Sequence, residues 1–260
     1  MNTLTATAVS IGTLIKHWRE RRRMSQLFLA SEAEISSRHL SFIETGRTAP
    51  SRAMVLRLAE YLDVPLRERN QLLTAAGFAP VFQERSLNDQ SMQPARLAVE
   101  QVLKGQEPYP ALAIDRHWNL ISANGAVAAL IADADSALLE PPVNVLRLSL
   151  HPRGLASRIV NLGQWRAHLL ARLEGQIGVT ADPQLIALRD ELSSYPGGAV
   201  HDDAVEASIA IPFVLNTAAG QLSFISTTLV FGTPVDVTLS ELAIELFFPA
   251  DEATAAALRG

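Results

Sequence analysis

The chain contains no cysteine, which excludes a disulfide framework and any thiolate metal site and fits a reducing compartment. No uninterrupted apolar run reaches the roughly 18 residues that a membrane helix needs. Met1 to Ser10 has no basic segment leading into an apolar one, so no secretory leader is expected and the protein is expected to be soluble and cytoplasmic. Glycine-rich phosphate loops, the dinucleotide fingerprint and the nucleophile elbow are all missing. The six histidines, at positions 17, 39, 117, 151, 168 and 201, never fall within five residues of one another, so no helical His-x-x-x-His metal pair exists. His201-Asp202-Asp203 beside Gly197-Gly198 reads as a polar loop. No catalytic residue, metal or cofactor is expected, and the chain is not expected to be an enzyme.

What is present is apolar enough to fold: 260 residues, 48% hydrophobic and 19% charged, suffice for one large or two ordinary domains. The net charge of −5 is unevenly spread. Residues 1–80 hold eleven Lys/Arg against seven Asp/Glu, a net of +4, and residues 81–260 hold eleven against twenty, a net of −9. An N-terminal module suited to phosphate is joined to an acidic remainder that is not.

Within the first eighty residues, Ile11, Leu14, Ile15 and Trp18 recur at helical spacing. Ser25 offers an N-cap for a helix opening at Gln26, whose amide would meet a DNA phosphate at the helix N-terminus. The small Ala30 suits two helices crossing closely, with a break near Glu34. Ser36 caps the next helix, with Leu40 and Ile43 inward and Ser37, Arg38, His39 and Ser41 projecting outward, side chains chemically suited to a major groove. Gly46 ends it, followed by Arg47. Ser51 and Pro65 open two more helices, the last stopping at Gly77, so five helices make one all-α bundle.

The run from Met24 to Thr48 (MSQLFLASEAEISSRHLSFIETGRT), followed by Pro50-Ser51, resembles the Xre or lambda-repressor type of helix-turn-helix. The resemblance implies that Gln26 contacts phosphate and that Ser37, Arg38 and Ser41 read bases. That family usually has glycine at the turn, where φ is positive. Here Glu34 stands instead, and a strained or altered turn is expected.

Residues 81–104 read as a linker and a connecting helix from Gln93 to Lys104. Beyond them, Pro110–Asp115 and Leu120–Ser122 form a short hairpin leading to a helix near Asn124. Helices are expected over Asn144–Leu150, Ala156–Gly175 and Pro183–Ser194, and strands over Glu206–Thr217, Gln221–Phe231 and Glu241–Phe248. Residues 105–260 are thus expected to form an α+β domain with an antiparallel sheet.

The segments Tyr109–Asn119 (YPALAIDRHWN), Asn144–Pro152 (NVLRLSLHP), Ile159–His168 (IVNLGQWRAH), Ser226–Val237 (STTLVFGTPVDV) and Phe247–Asp251 (FFPAD) resemble the MmyB-like regulators, in which an Xre-type domain precedes a PAS-like ligand-binding domain. The resemblance implies a fatty acid or similar acyl carboxylate as ligand. A carboxylate needs donors: Arg147 and His151, four residues apart, are placed on one helix face, with Asn144, Arg153 and Asn161 nearby in sequence. The alternative is that Arg147 pairs with an acid and His151 caps a turn. Trp118 and Trp165 read as core, while Phe213, Phe224, Phe231 and Phe247 either line an acyl pocket or fill the sheet face.

The expected function is therefore a transcription regulator that binds double-stranded operator DNA as a homodimer and senses a small hydrophobic carboxylate. Its alternative is a DNA-binding protein whose second domain dimerises or binds a protein partner without a ligand. An enzyme with an accessory DNA-binding domain has no motif behind it.

Overall fold

The structure is a computed structural model that describes residues 9–197, 210–218 and 220–259. It divides into two compact units, one of residues up to Glu84 with Val235–Val237, the other of the remainder.

The first unit holds α1 (Ile11–Arg21), α2 (Gln26–Glu32), α3 (Ser37–Glu44), α4 (Arg52–Tyr61) and α5 (Leu66–Ala75). Four of the five start the same way. Ser10, Ser25, Ser36 and Ser51 each accept a hydrogen bond at Oγ from the backbone N–H three residues on, at 3.1 to 3.3 Å, satisfying a donor the helix leaves unpaired. Ile15, Trp18, Leu29, Leu40, Ile43 and Leu58 fill the core between them. The turn from α2 to α3 passes through Glu34 at φ +54°, a left-handed conformation that costs a side chain energy and that glycine adopts freely. Gly12 marks where α1 crosses α3: a β-carbon there would stand 2.3 Å from the carbonyl oxygen of Ile43.

The second unit begins with α6 (Gln93–Gly105) and the hairpin of β1 (Ala111–Ile114) and β2 (Leu120–Ala123). There follow α7 (Gly125–Ile131), α8 (Val145–Leu150), α9 (Leu162–Thr180) and α10 (Pro183–Ser194). After these come β3 (Phe213–Thr217), β4 (Gly220–Val230), α11 (Val237–Ser240), β5 (Ala243–Pro249) and α12 (Glu252–Arg259). The five strands form one antiparallel sheet in the order β2-β1-β5-β4-β3. Two expectations shift. The segment expected as a helix over Ala156–Gly175 is a single 3-10 turn, Ala156–Arg158, followed by α9, because Val160 donates its N–H to Val214 and leaves the helix path. The start of the strand expected over Glu206–Thr217 lies outside the described residues, as does the loop at His201–Asp203.

Strand alternation sends successive side chains to opposite faces of the sheet. Ala111, Ala113 and Ile244 pack with Val99 and Leu103 of α6. Leu112, Phe213 and Phe247 belong to the larger core on the other face, with Leu146 of α8 and Trp165, Leu169 and Leu173 of α9. Space remains between that face and its helices. No helix among the described residues is long and apolar enough to cross a membrane.

Candidate functional site

On the N-terminal unit, Ser36, Ser37, Arg38 and Arg47 are exposed, and Gln26, His39 and Ser41 are half-buried. Phe42 organises the cations, since the Arg38 and Arg47 guanidiniums lie 5.3 and 5.6 Å from its ring, close enough for cation–π attraction. The α3 face thus carries hydroxyls, an imidazole and an arginine on a helix fixed from behind. Arg19 of α1 forks onto Glu44 at 2.6 and 3.0 Å, and Gln26 Nε2 donates to the same carboxylate at 2.7 Å. The amide that opens α2 is therefore held to the end of α3.

The five residues proposed from sequence for a carboxylate have other partners. Asn144 caps α8 by accepting from Arg147 N–H at 3.1 Å and donates to the His117 carbonyl at 2.8 Å. Arg147 forks onto Glu191, with contacts of 2.8 and 3.0 Å, and Tyr195 also donates to that carboxylate. Arg147 thereby holds the Glu191 carboxyl below its ordinary range, while burial and the Glu191 contact push the Tyr195 hydroxyl up to about 12. The expected shared helix face of Arg147 and His151 does not form. α8 has only six residues, and His151 is its C-cap in extended conformation, φ −72°, ψ 139°. Its Nδ1 accepts from Arg153 N–H, and its ring meets Tyr195 edge-on at 5.0 Å. Arg153 pairs with Asp135 at 2.7 Å, and Asn161 ties the Pro212 carbonyl and Val214 N–H to the start of α9.

The cavity lies elsewhere in the same unit, between the sheet and α7, α8 and α9. Leu112, Leu120 and Phe247 form its floor, Val127, Leu130 and Leu148 part of its roof, and Trp118 and Trp165 its flanks. The space open to the centre of a water-sized sphere is about 90 Å³, several times the roughly 10–15 Å³ that one water occupies on that measure. Both indole N–H groups are spent outside it, on Gln176 and Ser149 at 2.8 and 3.0 Å. Arg172 and Glu245 are the charged residues of its lining. Arg172 Nη1 and Nη2 donate to Glu245 at 3.0 and 2.7 Å, and Thr228 Oγ accepts from Arg172 and donates to Glu245, each at 2.9 Å. Trp118 sits at φ +66°, held there by a turn in which Asp115 accepts from the N–H groups of His117 and Asn119. Its ring lies 4.8 Å from the Arg172 guanidinium. Among the described residues no group of three His, Asp or Glu side chains stands where it could hold a metal ion.

Residues 95–260 match the family model of the MmyB-like transcription regulator ligand binding domain. The chain belongs to the MmyB-like transcription regulators. Residues 10–72 match a helix-turn-helix domain, so this MmyB-like regulator carries a DNA-binding module ahead of a ligand-binding domain, and neither matched family is an enzyme family. No curated protein matches the chain. Among solved structures, an RNA-binding light-oxygen-voltage receptor is similar at 13% identity and a TM-score of 0.26, over 96% of this chain and 61% of that one. The regulator thus spans less than two thirds of that receptor's chain, and a likeness of this size carries no argument about fold or function.

Sequence reasoning on this MmyB-like regulator missed Arg172 and Glu245. Arg172 sits at helical spacing from Trp165 and Leu169 on the buried face of α9, where a charge needs a partner. That one charge in an apolar stripe was the available signal, but the partner is 73 residues away. Of the phenylalanines left open between pocket and core, Phe213 and Phe247 line the cavity, whereas Phe224 is wholly buried and Phe231 packs with the α6 cluster.

Proposed function

We propose that this regulator changes its affinity for duplex DNA when a small hydrophobic ligand of acyl type fills the cavity beneath α7, α8 and α9. The apolar cavity inside the ligand-binding domain is the observation that carries the reading, because a concave, largely carbon-lined space with a few convergent polar groups is the usual form of a small-molecule site. The strand order β2-β1-β5-β4-β3 supports the PAS-like description of this domain. In the N-terminal module, Ser37, Arg38 and Ser41 read base edges, and Gln26, Ser36, His39 and Arg47 position the helix on phosphate or adjoining bases. The protein acts in the cytoplasm as a homodimer, since one such module reads only a few base pairs and two copies bind half-sites about one helical turn or a multiple apart. Fatty acids, the class that the family resemblance implies, have a chain that suits the lining. The cation that a carboxylate would meet on the wall is Arg172, not Arg147.

The test is selection of bound sequences from random duplexes by full-length protein, then titration of the selected site with and without lipid extracted from the purified protein. The expected result is a discrete sequence whose affinity shifts with the extract, and a dimer on the DNA by sedimentation. A selected site whose affinity ignores every hydrophobic additive would overturn the sensing role in favour of a domain that pairs or binds a protein partner.

A further inference from the structure

Phe42 is out of place on the hydrophilic face of α3. Its side chain is half-buried, yet it is not among the apolar side chains that pack on the core of the bundle, where α3 contributes Leu40 and Ile43. What covers its ring is charge. The Arg38 and Arg47 guanidiniums lie 5.3 and 5.6 Å from it, and local sequence brings both there. Arg38 stands four residues before Phe42 and so shares its side of the helix. Past the end of α3, Gly46 turns the chain at φ +73°, and the Arg47 and Thr48 N–H groups donate to the Phe42 carbonyl at 2.8 and 3.2 Å. That turn returns Arg47 to the ring.

These two arginines are held differently from others in the same unit. Arg22 donates to the carbonyls of Leu62 and Asp63 at 2.9 and 2.8 Å, Arg57 to that of Ala33 at 3.2 Å, and Arg19 forks onto Glu44. Among the described residues, the Arg38 and Arg47 guanidiniums have no such oxygen partner. A ring face orients a cation through its quadrupole without occupying an N–H donor or cancelling the charge. A carboxylate would do both. Each guanidinium is therefore ordered before DNA arrives and keeps its whole fork of donors for a base edge or a phosphate.

We propose that Phe42 is a positioning residue for DNA recognition, its ring presenting Arg38 to a guanine edge and Arg47 to a neighbouring phosphate as one preset pair. Sequence selectivity then depends on a side chain that makes neither contact itself. This rests on reading the α3 face as the base-reading surface and adds to that reading a residue that acts through two others.

The experiment titrates full-length protein with its selected duplex and with a random-sequence duplex at several salt concentrations. Phe42→Leu keeps an apolar side chain without a ring, and pentafluorophenylalanine at position 42 keeps the ring with its quadrupole reversed. Each should bind the selected duplex about fivefold more weakly or worse, the product of two exposed cation–π contacts. Binding of the random duplex should stay within about twofold of wild type, with an unchanged salt slope, because both positive charges remain. Phe42→Tyr should retain wild-type selectivity. With Arg38 and Arg47 both replaced by alanine, Phe42→Leu should add less than about a twofold change. A pentafluorophenylalanine protein with wild-type selectivity overturns the inference and leaves the reading of α3 standing, as does a Phe42→Leu that weakens both duplexes alike. Equal weakening of both duplexes by Arg38→Ala overturns the base-reading role of Arg38, and the inference with it. Should Phe42→Leu fail to fold by circular dichroism, the fluorinated ring decides alone.

Discussion

Each unit contains a forked arginine–glutamate pair, and the two are set in different surroundings. In the N-terminal unit, Arg19 and Glu44 have side chains 10% and 1% exposed, and the arginine also donates to the Met24 carbonyl at 2.8 Å. In the ligand-binding unit, Arg172 and Glu245 are 26% and 5% exposed, with a cavity on either side. The first pair is packed among backbone and side chains that cannot move without unfolding α1, α2 and α3. The second stands where solvent or a ligand can replace part of its surroundings. Desolvating two charges costs several kcal/mol, and geometry has to recover it. A pair that no ligand can reach acts as a fastening between helices, whereas one that borders empty space can also discriminate among occupants.

The largest expected effect follows from cutting the enclosed pair. Arg19→Met leaves Glu44 charged and buried, and chemical denaturation should show a loss of about 3–5 kcal/mol. Arg172→Met leaves Glu245 beside two cavities and the Thr228 hydroxyl, and the loss should be smaller, about 1–3 kcal/mol. Equal losses would break the comparison. On DNA, Arg38→Ala should weaken the selected site by about 1–3 kcal/mol while sparing non-specific duplex; equal weakening of both would make Arg38 a phosphate contact.

The smallest effect is one of pH, and it belongs to the cavity side alone. His168, stacked on Trp165 at 5.4 Å, has its pKa held below the ordinary imidazole value, first by burial and then by the charge of Arg172. The folded state therefore binds fewer protons than the unfolded chain just below that ordinary value. Its contribution to stability is complete above the ordinary value and is lost as pH falls through the window toward the depressed one. Denaturation midpoints should decline over that window in wild type, and His168→Gln should remove this part of the decline. An unchanged slope in His168→Gln would assign the decline to other groups.

How much of this was legible in the sequence depended on distance along the chain. The serine caps at 25, 36 and 51 act on an N–H three residues away, and the outward face of α3 follows from helical period, so both could be read locally. The helix over Pro183–Ser194 was readable for the same reason, with Asp182 accepting from Gln184 N–H at 2.9 Å. α12 was overlooked although Asp251 announces it, accepting from Thr254 N–H at 2.7 Å. The cavity was not legible. Arg147 and His151 stand at the four-residue spacing of a shared helix face, but the helix ends at Leu150, where its expected span also ends, and His151 caps it in extended conformation. Arg172 and Glu245 meet only because β5 lies between β1 and β4 and α9 crosses that face, a juxtaposition that no local period encodes.

Gly12 has a consequence for genetics. It lies where α1 touches α3, and any side chain there drives a carbon into the Ile43 and Glu44 carbonyl oxygens, at 2.3 and 2.7 Å. Such overpacking typically costs about 1–3 kcal/mol, enough to tilt α3 or loosen it. With Ser37, Arg38 and Ser41 reading bases as proposed, a screen for alleles that fail to occupy the operator should return position 12 together with positions 37, 38 and 41. Mapping such alleles straight onto the protein–DNA interface would count as a contact a residue that has no side chain to make one.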